Sequence, residues 1–290
     1  MPILVLRLLP ALASLALATA LLAWPAAAQL QPPSQSQSQS QPQSQTKSQT
    51  KAGEDQAADA IVADGPCRRL EHDRASFIVC EIDLTRHVIR TYWKRPNGKP
   101  YGTLWSLVRA MKAEGKRPLL AMNAGMFKED RSPLGLYVEE GKELVGPDTA
   151  DNPEGNFYMK PNGVFYVAGG RAAIMETGRF VKEKPRADFA TQSGPMLVID
   201  GAVHPKISPR GISRFVRNGV GVRDAHTVVF AISRRRVTFG QLARLFKDGL
   251  GCPNALYLDG QVSGIYTTAT LPKRFILPIG PMFGAYERPK

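Results

Sequence analysis

The chain has 290 residues, 43% of them hydrophobic, with 38 Lys and Arg against 25 Asp and Glu and a formal net charge of +13. That basic excess favours anionic partners such as phosphorylated glycans, envelope lipids or nucleic acid. No zinc-finger, RNA-recognition or helix-turn-helix pattern is present, so no nucleic acid is expected, and the run Arg234-Arg235-Arg236 reads as a solvated face.

Residues 1–28 place one charge, Arg7, ahead of an apolar run from Leu8 to Trp24, and Pro25 leads into Ala26-Ala27-Ala28. This is the layout of a secretory signal peptide, with cleavage expected between Ala28 and Gln29. An uncleaved anchor is the alternative, but the run is interrupted by Pro10 and falls short of the roughly 20 residues a span needs. Processing would leave no stable membrane anchor and a periplasmic or secreted chain. Residues 29–62 are rich in Gln and Ser and nearly empty of large apolar side chains, so burial cannot offset their ordering entropy and a disordered spacer is expected. Residues 65–290 show no second low-complexity stretch and no repeat, and a single domain of that size can bury a full core.

Three cysteines admit three single-bridge pairings. Cys67 and Cys80 flank "RRLEHDRASFIV", where one short strand can return against the next, and an oxidising compartment favours their pairing. Cys252, in "LGCPNAL", then reads as a buried and inert thiol at a helix-to-strand turn.

Strands are expected at "SFIVCEI", "HVIRTYW", "PLLAMN", "LGLYVEE", "GVFYV", "PMLVID", "HTVVFAIS", "ALYLD" and "RFILPIG", many bounded by Gly, Pro, Asn or Asp. Two helices stand out. One follows Thr103, with Leu104, Leu107, Val108 and Met111 on one face. The other follows Thr238, which forms a capping box with Gln241 and turns Phe239, Leu242, Leu245 and Phe246 inward. This order predicts an α+β domain on a mixed or antiparallel sheet core with a few packed helices.

Common catalytic signatures are missing. "GQVSG" carries its serine one place too late for a nucleophile elbow, and there is no P-loop, glycine fingerprint or His-Glu-x-x-His. His72, His87, His204 and His226 are dispersed without metal-ligand spacing.

What recurs is a strand that ends in small and polar residues. The clearest is "NALYLDGQVSG" (Asn254 to Gly264); its companions are "AMNAGMF", "NFYMKPNGVFYV", "TQSGPMLVIDG" and "SRFVRNGVGV". Each alone is a turn beside a core strand. Together, in this order and at these spacings, they resemble the phosphodiester glycosidase family, relatives of the lysosomal uncovering enzyme, and in particular its bacterial periplasmic branch, from about Phe77 to Phe283.

The resemblance implies hydrolysis at the anomeric carbon of a sugar-1-phosphodiester, such as one in a phosphorylated envelope or extracellular glycan. The matching positions are Asn123, Gly125, Ser193, Gly194, Arg217, Asn218, Gly219, Asp259, Gly260 and Ser263. Where relatives carry glycines and a serine after the aspartate, this chain has Gln261-Val262. A phosphomonoester leaves readily, so one carboxylate can suffice where ordinary glycosidases use two. Asp259 fits that role, Arg217 suits a phosphate through its planar fork, and Asn123, Ser193 and Asn218 can orient sugar or water. Glu154 is the candidate second acid and Lys160 a second phosphate contact. No cofactor is expected, and a divalent cation is not excluded. Metal-assisted attack at phosphorus would need clustered ligands, for which only Asp200 and Asp224 offer themselves. The alternative from another class is a non-catalytic binding or assembly protein for phosphorylated saccharide or exopolysaccharide.

Overall fold

A computed structural model describes residues 65–152, 154–260, 262–268 and 278–289. The expected signal peptide and the Gln/Ser-rich spacer lie outside the described residues, as does most of "RFILPIG"; its described end, 278–280, forms no strand.

All strand pairs among the described residues are antiparallel, and they form three sheets. The largest has the order β1 (Cys67–His72), β2 (Ala75–Asp83), β13 (Thr227–Ser233), β12 (Asn218–Asp224), β14 (Asn254–Tyr257), β10 (Met196–Ile199) and β11 (Ala202–Val203). A second orders β15 (Ile265–Thr267), β4 (Pro118–Asn123), β16 (Met282–Glu287) and β3 (His87–Tyr92). The third orders β6 (Lys142–Val145), β5 (Tyr137–Glu139), β9 (Phe189–Ser193), β7 (Gly163–Ala168) and β8 (Arg171–Glu176).

The three sheets enclose one core. Ile78, Cys80 and Ile82 of β2 meet Leu120 and Met122 of β4 and Phe165 of β7 there. Phe165, Phe230 and Phe283, one from each sheet, stack edge-on or tilted with centroids 5.2 to 6.5 Å apart. The outer face of each sheet is covered by a helix. Helix α1 (Leu104–Ala113), capped by the Thr103 hydroxyl, packs Leu104, Leu107, Val108 and Met111 over the second sheet, as its periodicity predicts. Helix α2 (Thr177–Glu183) sets Phe180 against the third. Helix α3 (Phe239–Arg244) carries the Thr238–Gln241 capping box and continues as a π-turn through Leu245–Gly249, burying Leu242, Leu245 and Phe246 on the first.

Strand β2 therefore alternates between two cores: Phe77 and Val79 face α3 while Ile78, Cys80 and Ile82 face the centre, which explains its near-continuous apolar run. Cys67 and Cys80 are register partners across β1 and β2 and form the disulfide. Cys252 is free and buried, and burial pushes its thiol up to about 12.

Two sequence expectations need correcting. "SRFVRNGVGV" holds a strand that begins, rather than ends, at the small residues: β12 starts at Asn218. Its glycines serve packing, because a Cβ at Gly221 would lie 2.7 Å from the Phe246 ring and 2.7 Å from Cys252 Sγ. Helix α2 escapes detection because its N-cap is Glu176, whose carboxylate accepts from Gly178 and Arg179; glutamate is not a customary cap.

Candidate functional site

Three of the recurrent motifs meet where the chain passes from the first sheet to the second. Strand β14 ends at Tyr257, the connection 258–264 leaves that sheet, and β15 starts at Ile265 beside Met122 of β4. Asn123, the last residue of β4, and Asn218, the first of β12, bridge the seam. Asn218 Nδ2 donates to Asn123 Oδ1 at 2.6 Å, and Gly264 N–H donates to the same oxygen at 3.1 Å. Asn123 Nδ2 donates to the Asp259 carbonyl at 3.0 Å. Ser263 Oγ lies 3.2 Å from both Asn218 Oδ1 and the Val216 carbonyl. Asn123, Asn218 and Ser263 are buried, and the cluster opens outward at half-buried Asp259 and Gly260.

Asp259 is thus fixed through its main chain, and its carboxylate acts on Tyr257, where its charge adds to burial in holding the phenol above its ordinary value. Gly260 lies so close that a Cβ there would fall 1.7 Å from Tyr257 Oη, so only glycine fits. Gly260 matches a motif position of the resembled family, and the structure assigns the space beside it to tyrosine.

Tyr257 links this edge to Arg217. Arg217 is 1% exposed. Its Nη1 donates to Tyr257 Oη at 3.1 Å, Nε to the Val237 carbonyl at 3.1 Å, and Nη2 to the Ser213 carbonyl and hydroxyl. The Phe239 ring lies 3.6 Å from its Cζ. Burial lowers its pKa from the ordinary value, partly offset by Tyr257. The open bidentate fork expected from the sequence is therefore corrected: every guanidinium nitrogen is engaged by protein, because the tyrosine, aromatic and carbonyl partners arrive from other segments. What Arg217 offers is a desolvated positive charge behind Tyr257.

The other motifs close the back of the cluster. Gly125 N–H donates to Thr191 Oγ1 at 3.2 Å, and a Cβ on Gly125 would lie 2.2 Å from the Gln192 carbonyl. A Cβ on Gly194 would lie 2.4 Å from the Phe157 carbonyl. Both glycines permit backbone packing. Tyr257 N–H donates to the Pro195 carbonyl, which holds the "TQSGP" segment against β14. Ser193 Oγ is buried without a hydrogen-bond partner among the described residues. Gln192, which the sequence did not single out, accepts from Leu136 and Asp148 N–H groups and donates to the Asp148 carbonyl, tying two connecting segments to β9.

Two sequence candidates stand outside this network. Glu154 is exposed, and its described bond is its own N–H to Asn152 Oδ1. Lys160 Nζ is held by Asp151 at 2.6 Å and the Thr149 carbonyl at 2.9 Å. Asp200 and Asp224 sit at the opposite ends of β10 and β12 from Asn218, since Val222 pairs with Asn254 and Gly219 with Tyr257. Among the described residues no three His, Cys, Asp or Glu side chains form a metal-holding group. Gln261, the first residue of the departure after Asp259, lies outside the described residues.

Comparison with known proteins gives concordant findings. The family model described as phosphodiester glycosidase matches residues 116–270, a span that includes all the motif positions above. An uncharacterised Escherichia coli (strain K12) protein, YigE, is 39% identical over 178 residues, covering 61% of this chain and 69% of its own. The catalytic domain of zebrafish N-acetylglucosamine-1-phosphodiester alpha-N-acetylglucosaminidase, auto-inhibited by its pro-peptide, superposes with a TM-score of 0.53 at 14% identity, covering 77% of this chain and 82% of that one. At that identity the likeness speaks for the fold.

Proposed function

The chain belongs to the phosphodiester glycosidase family, and from that membership we propose that it hydrolyses the anomeric bond of a sugar-1-phosphodiester. Water adds to the anomeric carbon, the bond from that carbon to the bridging oxygen breaks, and the phosphomonoester leaves with that oxygen. Asp259 supports the oxocarbenium-like sugar or takes the proton of the attacking water. Asn123 and Ser263 hold the Asp259 carbonyl, with Asn218 orienting both, so that the carboxylate is positioned in advance, and Arg217 stabilises the anionic leaving group by its charge across Tyr257.

The observation that carries this reading is the bond from Asn123 Nδ2 to the Asp259 carbonyl, which joins two motifs 136 residues apart at one half-buried carboxylate. The proposed substrate class, a phosphorylated envelope or extracellular glycan, is supported by the family membership and the net charge of +13. A periplasmic or extracellular location is supported by the Cys67–Cys80 bridge. The intact mass of the chain recovered from its host would be that of residues 29–290; a full-length species would contradict export with cleavage.

The test is a panel of sugar-1-phosphodiesters incubated in ¹⁸O-labelled water. Free sugar carrying the label and unlabelled phosphomonoester are expected. Label in the phosphate would show attack at phosphorus, and saturable binding with intact ligand would favour the binding or assembly protein.

A further inference from the structure

We propose that the loop from Ser208 to Val216, together with the arginine-lined cleft beside it, is a docking surface for an anionic phospholipid bilayer. The cleft has two lobes, of about 740 and 460 Å³, which share Arg74, Arg214 and Gln241 in their walls. Eight arginines and two carboxylates line the pair. Both carboxylates are spoken for locally: Glu71 accepts from Arg69, and Asp73 from Arg244. Arg74, Arg214, Arg235 and Arg236 are exposed, and no ion pair joins them to a carboxylate among the described residues. So many uncompensated charges around one concavity attract an anion, and the guanidinium fork suits phosphate oxygens.

Charge alone would fit any polyanion. What selects a bilayer is the apolar tip on the same loop. Ile212 is 91% exposed and Phe215 54%, two of the large hydrophobic side chains left in water among the described residues. They alternate with Arg210 and Arg214 along "PRGISRF". Phe215 and Val237 exchange backbone hydrogen bonds of 3.1 and 2.7 Å, so the apolar tip is fastened to the strand end that carries Arg235 and Arg236. A soluble polyanion makes no use of Ile212 and Phe215. An anionic bilayer takes both halves of the surface, phosphate headgroups on the arginines and apolar side chains at the acyl boundary. The surface also adjoins the candidate site, since Val237 lines the cleft while its carbonyl accepts from Arg217 Nε.

The test places a polarity-sensitive fluorophore at Ile212→Cys in the full chain. Cys252 is buried and the other two cysteines are bridged, so labelling is confined to that position. With vesicles of phosphatidylglycerol and phosphatidylcholine, a blue shift and quenching by a lipid-borne quencher are expected. Phosphatidylcholine alone should give neither. Combining Arg235→Gln with Arg236→Gln should weaken the apparent vesicle affinity by about tenfold or more. Because the readout is local to residue 212, membrane contact elsewhere in the chain does not produce it.

A label that stays in water with anionic vesicles overturns the proposal, as does an equal response to phosphatidylcholine. Binding of soluble polyphosphate, with no shift at residue 212 on anionic vesicles, would assign the cleft to a free polyanion. Turnover of a soluble sugar-1-phosphodiester, measured on the same labelled sample, reports on the hydrolase reading separately, since that reaction needs no bilayer.

Discussion

Asn123 illustrates how a single side chain joins two sheets. Its amide accepts from Asn218 and Gly264 and donates to the Asp259 carbonyl, all in a buried position. Asn123→Leu conserves volume but leaves two buried donors, Asn218 Nδ2 and the Gly264 N–H, without their acceptor, so a stability loss of about 2–4 kcal/mol is expected in denaturant titrations; a loss under about 0.5 kcal/mol would mean that the network contributes little. Asn123, Asn218, Asp259 and Ser263 were singled out by the resemblance of their motifs, taken together, to the family; the short polar break around each reads alone as a turn beside an apolar strand. The environment of Arg217 was not legible. Its partners Val237 and Tyr257 lie 20 and 40 residues away, and no local pattern announces that an arginine will be buried under Phe239. For the same reason Gly125, Gly194 and Gly260 stand in the sequence only as positions matching the family, whereas protein atoms occupy the space where a Cβ would go.

At the scale of elements, the β1–β2 hairpin was readable from cysteine spacing, and its bridge should be stabilising. Reduction closes off no native contact but frees a short loop in the unfolded chain, so about 3 kcal/mol should be lost on adding reductant. Peptide mapping without reductant should recover the two cysteines linked and Cys252 alkylated once unfolded; a bridge through Cys252 would contradict the register of β1 on β2. Strand β5 carries a second, pH-dependent feature that periodicity could not reveal. Burial pushes the Glu139 carboxyl above the usual carboxylate range, even though Tyr137 Oη and the Trp93 N–H both donate to it. Between the ordinary value of about 4.3 and the raised folded value, the folded chain holds more protons than the unfolded one. Stability from this group is therefore greatest at low pH and declines as pH rises through that window. Glu139→Gln should remove that slope, so its stability relative to the parent should climb from acid toward neutral pH; parallel profiles would contradict the account.

For the whole molecule, the α+β class was legible because strands dominated without alternating regularly with helices. The long-range sheet partners were not, because each sheet joins its hairpins to strands distant in sequence, as β2 beside β13 or β4 beside β16. That assembly creates the candidate site: Asp259 lies where the chain leaves the first sheet for the second, and its main-chain carbonyl is held by Asn123 and Ser263. The central claim is that this acid performs chemistry rather than ending a strand. Asp259→Asn keeps the carbonyl that Asn123 grips, so the variant should fold and melt close to the parent. The deciding measurement is its turnover per folded molecule on a sugar-1-phosphodiester that the parent cleaves. A fall in kcat on the order of a hundredfold or more with KM little changed is predicted, whereas turnover within a few-fold of the parent would show that Asp259 is a turn residue and contradict the mechanism.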